Sequence, residues 1–199
     1  MTILYTVGKK IYVNITNRCP CNCTFCIRNN GDGAYGSDSL WLEHEPSFEE
    51  VVAEFSKYNL SDFVEIVFCG FGEPLERIED VSRLGKYLKT ITKTPIRINT
   101  NGLSDLIHEK PTASLLDGAI DIVSISLNAG TKAGYLEVTR PSFGEKSFDA
   151  MLKFAEDCKK FVPNVMFTVV DVISKEEISS CKEISEKLGI PLRIRKYDA

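Results

Sequence analysis

Residues 10–28 read KIYVNITNRCPCNCTFCIR, and the change of character inside this stretch decides the fold. Residues 10–16 are rich in β-branched and aliphatic side chains and contain neither Gly nor Pro, which predicts a strand buried on at least one face. Four cysteines follow at once, Cys19, Cys21, Cys23 and Cys26. Thiolates bind soft or borderline metals, and three of them on a tight loop suffice to hold three irons of a four-iron cluster while the fourth iron stays open to another ligand. The other cysteines, Cys69, Cys158 and Cys181, stand alone. An odd, clustered count in a chain without a visible secretory signal argues against a disulfide framework and for a metal or redox site at the end of the first strand.

Working outward, segments of the same kind recur at 64–69, 96–99, 121–127, 165–171 and 192–196. Helical spacing lies between them: Phe48, Val51, Val52 and Phe55; Ile78, Val81, Leu84 and Leu88; Phe148, Met151, Leu152 and Ala155. Ser47 with Glu50, and Ser174 with Glu177, predict helix starts in which side chain and backbone satisfy each other, and Gly189 with Pro191 predicts the last helix end. Strands alternating with helices require crossover connections and hence a mostly parallel sheet. A closed eight-unit barrel takes roughly 250 residues. Six units in 199 residues predict an open partial (βα)6 TIM-like barrel as a single α/β domain over 1–199. Residues 1–10 extend it by a strand or hairpin, with residues 3–7 leading into a Gly8-Lys9 turn. Residues 29–46 form a loop after the cysteines, opening with NNGDGAYGSDS, and in such folds the working loops lie at the carboxyl ends of the strands.

Composition narrows the class. The chain is 43% hydrophobic and 26% charged, with a formal net charge of -4, and no run approaches the roughly 20 apolar residues of a membrane span. No membrane association is expected, and the absence of a basic segment leading into an apolar block predicts a cytoplasmic protein. Lys and Arg are scattered, so no general nucleic-acid binding is expected.

The spacing Cys-x3-Cys-x2-Cys in CPCNCTFC resembles the cluster loop of the radical S-adenosylmethionine (radical SAM) superfamily, and later strand ends resemble that family too. Gly70-Phe71-Gly72-Glu73-Pro74 is similar to its Gly-Gly-Glu motif, with Phe71 in place of a glycine. Asn99-Thr100-Asn101-Gly102 is similar to its Thr-Asn-Gly, and Ser124 to Asn128 to its Ser-Leu-Asp or Ser-Leu-Asn. The resemblance implies a [4Fe-4S] cluster on Cys19, Cys23 and Cys26, with Phe25 near the adenine of SAM. It implies that Gly72 and Glu73 receive the methionine ammonium, where charge-assisted hydrogen bonds are worth roughly 1.5–3 kcal/mol each. Asn99 joins the SAM contacts, Ser126 faces the methionine carboxylate or ribose, and Asn128 faces the ribose hydroxyls. Arg140 takes the carboxylate, which its planar fork suits, and Val170 touches adenine. The implied reaction is reductive cleavage of SAM to methionine and a 5'-deoxyadenosyl radical that abstracts hydrogen from a substrate, fed by an electron donor such as flavodoxin or ferredoxin. An open barrel suits a large substrate such as a protein or peptide. Residues 17–28 look most like small members associated with TatD-type hydrolases, with glycyl radical enzyme activators and peptide-modifying members as neighbours.

Other assignments stay open at the level of sequence. A structural zinc knuckle requires a second Cys or His pair nearby, which the chain lacks. Cys21 is a spare that becomes a ligand in a shifted register. A dinucleotide fingerprint fails at Leu75. Cys158 and Cys181 lie on apolar helix stripes, Cys69 is expected to pack in the core, and His44 and His108 sit in polar, exposed surroundings. Asn101 reads equally as a turn former or a ligand. A non-catalytic iron-sulfur protein that transfers electrons or senses redox state is the alternative function. Glu73, Ser126 and Arg140 weigh against it, because an electron carrier needs no zwitterion-binding set.

Overall fold

The computed structural model describes residues 1–197, so the last two residues of the expected domain lie outside the described residues. The chain begins with a hairpin. Leu4–Val7 (β1) and Lys10–Val13 (β2) pair antiparallel through the Gly8-Lys9 turn, where Gly8 adopts φ 57°. From β2 onward every pairing is parallel, through Glu65–Phe68 (β3), Ile96–Thr100 (β4), Ile122–Ser126 (β5), Asn164–Val170 (β6) and Leu192–Arg195 (β7). The sheet runs β1-β2-β3-β4-β5-β6-β7 in chain order, with β1 and β7 as open edges. All six strand segments expected from sequence are present, as an open α/β sheet consistent with a partial barrel.

Phe48–Phe55 (α1) and Ile78–Ile91 (α2) follow β2 and β3. Only the short Ser104–Ile107 (α3) and a 3-10 turn at Ala113–Leu116 follow β4. Lys132–Thr139 (α4) and Lys146–Cys158 (α5) follow β5, and Lys175–Leu188 (α6) follows β6. Sequence periodicity did not reveal α3, which is a single turn, or α4, which is as long as α1 but buries only Tyr135 and Thr139 and so displays no apolar stripe. At α1 the expected cap is complete: the Glu50 amide donates to Ser47 Oγ at 3.2 Å and the Ser47 amide to Glu50 Oε2 at 2.8 Å. At α6 it is half complete. The Glu177 amide donates to Ser174 Oγ, but the Glu177 carboxylate turns away to accept from the Gly130 amide at 2.6 Å and the Thr131 amide at 3.0 Å. Three donors on the loop after β5, counting the Thr131 hydroxyl at 2.5 Å, outcompete one amide of its own helix.

Alternate strand residues separate two faces. Ile11, Val13, Ile66, Phe68, Ile98, Val123, Ile125, Phe167 and Val169 are fully buried against the helices, with Leu84, Leu88, Met151, Phe154, Cys158 and Cys181 opposite them. Burial of each such aliphatic or Phe side chain contributes about 1.5–3 kcal/mol. The other face, free of helices, carries Tyr12, Glu65, Arg97, Asn99, Ser124, Ser126, Thr168, Arg193 and Arg195, placed side by side by the parallel register. Cys69 follows the same alternation and belongs to this inner face rather than to the core.

Candidate functional site

The loops leaving β2, β3, β4 and β5 meet at the carboxyl end of the sheet. The cysteine loop is held there by backbone: the Asn22 amide donates to Thr139 O at 3.0 Å, the Thr24 amide to Val138 O at 2.9 Å, and the Ser142 amide to Pro20 O at 2.8 Å. Cys21 forms an isolated bridge with Pro141. On the other side the loop lies against the 70–73 segment, where the Glu73 amide donates to Arg18 O at 2.8 Å. That approach requires glycine. A Cβ on Gly72 would fall 2.2 Å from Thr16 O, and one on Gly70 would fall 2.0 Å from Asn14 Oδ1.

Cys19, Cys23 and Cys26 are half-buried, and Cys21 is buried between Cys19 and Cys23. Hydrogen bonding with Cys21 lowers the Cys19 thiol to about 7 against the opposing effect of burial, with further help from the Arg28 charge and the Asn101 amide. Cys23 is lowered by the same neighbour, while hydrogen bonding to Cys19 and Cys23, together with burial, pushes the Cys21 thiol up. Arg28 Nε lies 3.4 Å from Cys26 Sγ, and Asn101 Nδ2 lies 3.9 Å from Cys19 Sγ. Thiols beside a cation and amide donors are predisposed to the thiolate form that metals bind. Among the described residues no three His, Cys, Asp or Glu side chains gather around a single metal ion. A cubane cluster instead takes one thiolate per iron, so three soft donors distributed along a loop fit it chemically.

Glu73 is 4% exposed and fully engaged. Its Oε1 accepts from the Leu75 amide at 3.0 Å and the Thr100 hydroxyl at 2.7 Å, and Oε2 accepts from the Asn101 amide at 2.7 Å. Burial, reinforced by the nearby Cys19, raises its carboxyl to about 8. Glu73 therefore ties the turn after β3 to the turn after β4. Asn101 forms the turn, its Oδ1 accepting from the Leu103 amide at 2.9 Å, and its Nδ2 faces the Cys19 and Cys21 thiols.

The remaining sequence candidates surround this mouth. Phe25 is half-buried on the cysteine loop, and Ser126 is half-buried at the end of β5. Asn128 is buried with φ 62°, a left-handed conformation that Asn tolerates better than most residues. Arg140 caps α4 with φ 45°, adjacent to the Pro141 bridge; its exposed guanidinium makes no hydrogen bond or ion pair among the described residues. Val170 ends β6 and is buried. Asn99 lies deeper, on the inner face, where Oδ1 accepts from Arg97 Nη1 at 2.7 Å. His44 is exposed beside Glu50, but His108, expected in exposed surroundings, is half-buried with Nε2 2.8 Å from Leu75 O.

Phe71, the departure from the family motif, is 3% exposed. It packs with Tyr5, Ala34 and Leu40, and edge-to-face with Trp41 at 5.0 Å between ring centroids. This small second core holds the 29–46 loop over the sheet edge. Asn14 Nδ2 donates to Leu40 O at 2.8 Å, and Asn17 pairs both its amide atoms with the Leu42 backbone. The sequence contained these residues without signalling that they meet.

An open parallel α/β sheet with a cysteine loop at the carboxyl end of its first parallel strand defines an iron-sulfur barrel protein. Within that class the chain belongs to the radical SAM superfamily, whose family model matches residues 13–188. Members are enzymes that use a [4Fe-4S] cluster with SAM, and they generally need a reductant such as flavodoxin or ferredoxin. No curated protein matches the sequence. Among solved structures, Streptococcus suis SuiB bound to S-adenosylmethionine superposes with a TM-score of 0.65 at 16% identity over 94% of this chain and 40% of that chain. Methylornithine synthase (PylB) superposes at 0.63 and 15% identity, covering 95% of this chain and 53% of that one. HydG, a maturase of the [FeFe]-hydrogenase, superposes at 0.65 and 13% identity, covering 96% and 42%. These likenesses establish the shared fold, and this chain spans about half or less of each neighbour's length. No helix among the described residues is long and apolar enough to cross a membrane.

Proposed function

We propose that this chain binds a [4Fe-4S] cluster through Cys19, Cys23 and Cys26 and binds SAM across the adjoining strand ends, acting on a protein or peptide substrate. The observation that carries this is the cysteine loop itself, with Cys21 and Arg28 favouring the thiolate state of its neighbours. When bound, cluster and SAM supply one-electron reductive cleavage and a hydrogen-abstracting radical.

The chain's own residues bind and orient. The 70–73 backbone, braced by Glu73, offers carbonyls to an ammonium group, and the Arg140 fork is free to pair with a carboxylate. Asn128 and Ser126 offer polar atoms beside the loop, while Phe25 and Val170 supply apolar surface. Asn99, held by Arg97, faces inward below them. The likeness of residues 17–28 to small members associated with TatD-type hydrolases supports a partner of that kind, and an electron donor such as flavodoxin or ferredoxin completes the system. A cytoplasmic location fits the chain's thiol-rich, disulfide-free chemistry.

Variants separate the two binding functions. Cys23→Ala should lose most of the reconstituted iron, whereas Cys21→Ser should retain it. Glu73→Ala should retain the cluster but weaken SAM binding about tenfold or more, as one or two charge-assisted contacts lose their geometry. SAM affinity unchanged in Glu73→Ala would refute the assignment of the 70–73 segment.

A further inference from the structure

The inner face of the sheet carries an excess of positive charge that the chain does not neutralise. Among the described strand residues of this face Glu65 is the one carboxylate, and two cations share it: Lys10 Nζ at 2.8 Å and Arg97 Nη2 at 3.0 Å from Oε2. Arg193 and Arg195, in register with Thr168 and Val170, present their side chains to the same face from β7. Neither makes an ion pair or side-chain hydrogen bond among the described residues. Both are exposed at the open edge, on the face that also carries Thr168 and Val170. A side-chain contact joins this end of the chain to the cysteine loop: the Tyr197 hydroxyl donates to Asn30 Oδ1 at 3.5 Å, just past Cys26.

We infer that the substrate bears an anionic group, a carboxylate or a phosphate, which Arg193 and Arg195 bind at the open edge of the inner face. Two arginines two residues apart on one strand fall on the same face, and the planar Arg fork suits carboxylate and phosphate better than Lys does. The edge position lets a substrate enter between β7 and β1 while its anion stays anchored and its reacting part reaches the mouth beneath the cysteine loop. This rests on the function proposed above, because it takes the inner face as the place where substrate meets SAM. Charges on an edge strand also serve to block sheet-to-sheet pairing, and that role predicts no ligand.

The test is calorimetric titration of cluster-loaded, SAM-bound protein with glutarate and, separately, with inorganic phosphate. Saturable binding should weaken at least tenfold in the Arg193→Gln/Arg195→Gln double variant, weaken less in Arg193→Lys/Arg195→Lys, and stay unchanged in Lys182→Gln, which removes one exposed charge from α6. Tighter binding of glutarate assigns the carboxylate source, and tighter binding of phosphate assigns the phosphorylated one; either upholds the anion subsite. No saturable binding of either probe, or equal binding in the double Gln variant, overturns it, as does an equal loss in Lys182→Gln. Increased self-association of the double Gln variant without any probe binding identifies the arginines as edge guards and also overturns it. Iron content and SAM affinity measured on the same samples separate the two proposals: retained cofactors without anion binding refute only this one, and anion binding in a chain that cannot hold iron refutes only the cofactor assignment.

Discussion

Glu65 shows how much one side chain can hold on an otherwise uncovered sheet face. Its bonds to Lys10 and Arg97 overcome the effect of burial and keep its carboxyl below the ordinary range. A lowered folded value stabilises the protein above the unfolded carboxylate pKa of about 4.3 and loses that contribution as pH falls through the folded value. Glu65→Gln should cost about 3 kcal/mol near neutrality, because it leaves the Arg97 guanidinium largely desolvated without its counter-charge. Thermal unfolding from pH 3 to 7 should show the gap between wild type and variant narrowing toward the acid end; a constant gap would mean that the pair contributes no net charge term. Cys21 makes a related point. Its spacing did not reveal its role, since a cysteine between two ligand candidates reads as a spare, whereas in the fold it is buried between Cys19 and Cys23 and its hydrogen bonding lowers both of their thiols.

At the level of elements, strand order and most helices were legible because a buried strand and an amphipathic helix each repeat a local pattern. The six parallel strands, the α1 cap and the αL end of α6 at Gly189 all follow from residues close in sequence. Long-range pairing was not legible. The capping pattern at Ser174 could not show that Glu177 would find better donors on the loop after β5, and no periodicity connects Phe71 to Tyr5, Leu40 and Trp41. Likewise the resemblance that marks Glu73 does not reveal that its carboxylate is already occupied by Leu75, Thr100 and Asn101. Phe71→Gly, which restores the family's usual residue, should cost about 3–5 kcal/mol by leaving a cavity under the 29–46 loop. Hydrogen exchange should quicken across residues 34–42 while the β4 and β5 amides stay protected. Unaltered exchange there would show that Asn14 and Asn17 hold the loop without the aromatic contact.

The whole molecule joins a helix-packed outer layer to an inner face left polar and open at both edges, with the cysteine loop fastened at its mouth by backbone from both sides. Fold and chemistry therefore meet at one end of the sheet, and the central claim is that this end holds a SAM-responsive four-iron cluster. The direct measurement is anaerobic: reconstitute the chain, count iron and sulfide, reduce with dithionite, and record the EPR signal before and after SAM, assaying 5'-deoxyadenosine in parallel. The account predicts four irons per chain, a signal shifted by SAM and deoxyadenosine formed even without substrate. A cluster indifferent to SAM, or bound zinc with no cluster after strictly anaerobic handling, would contradict it.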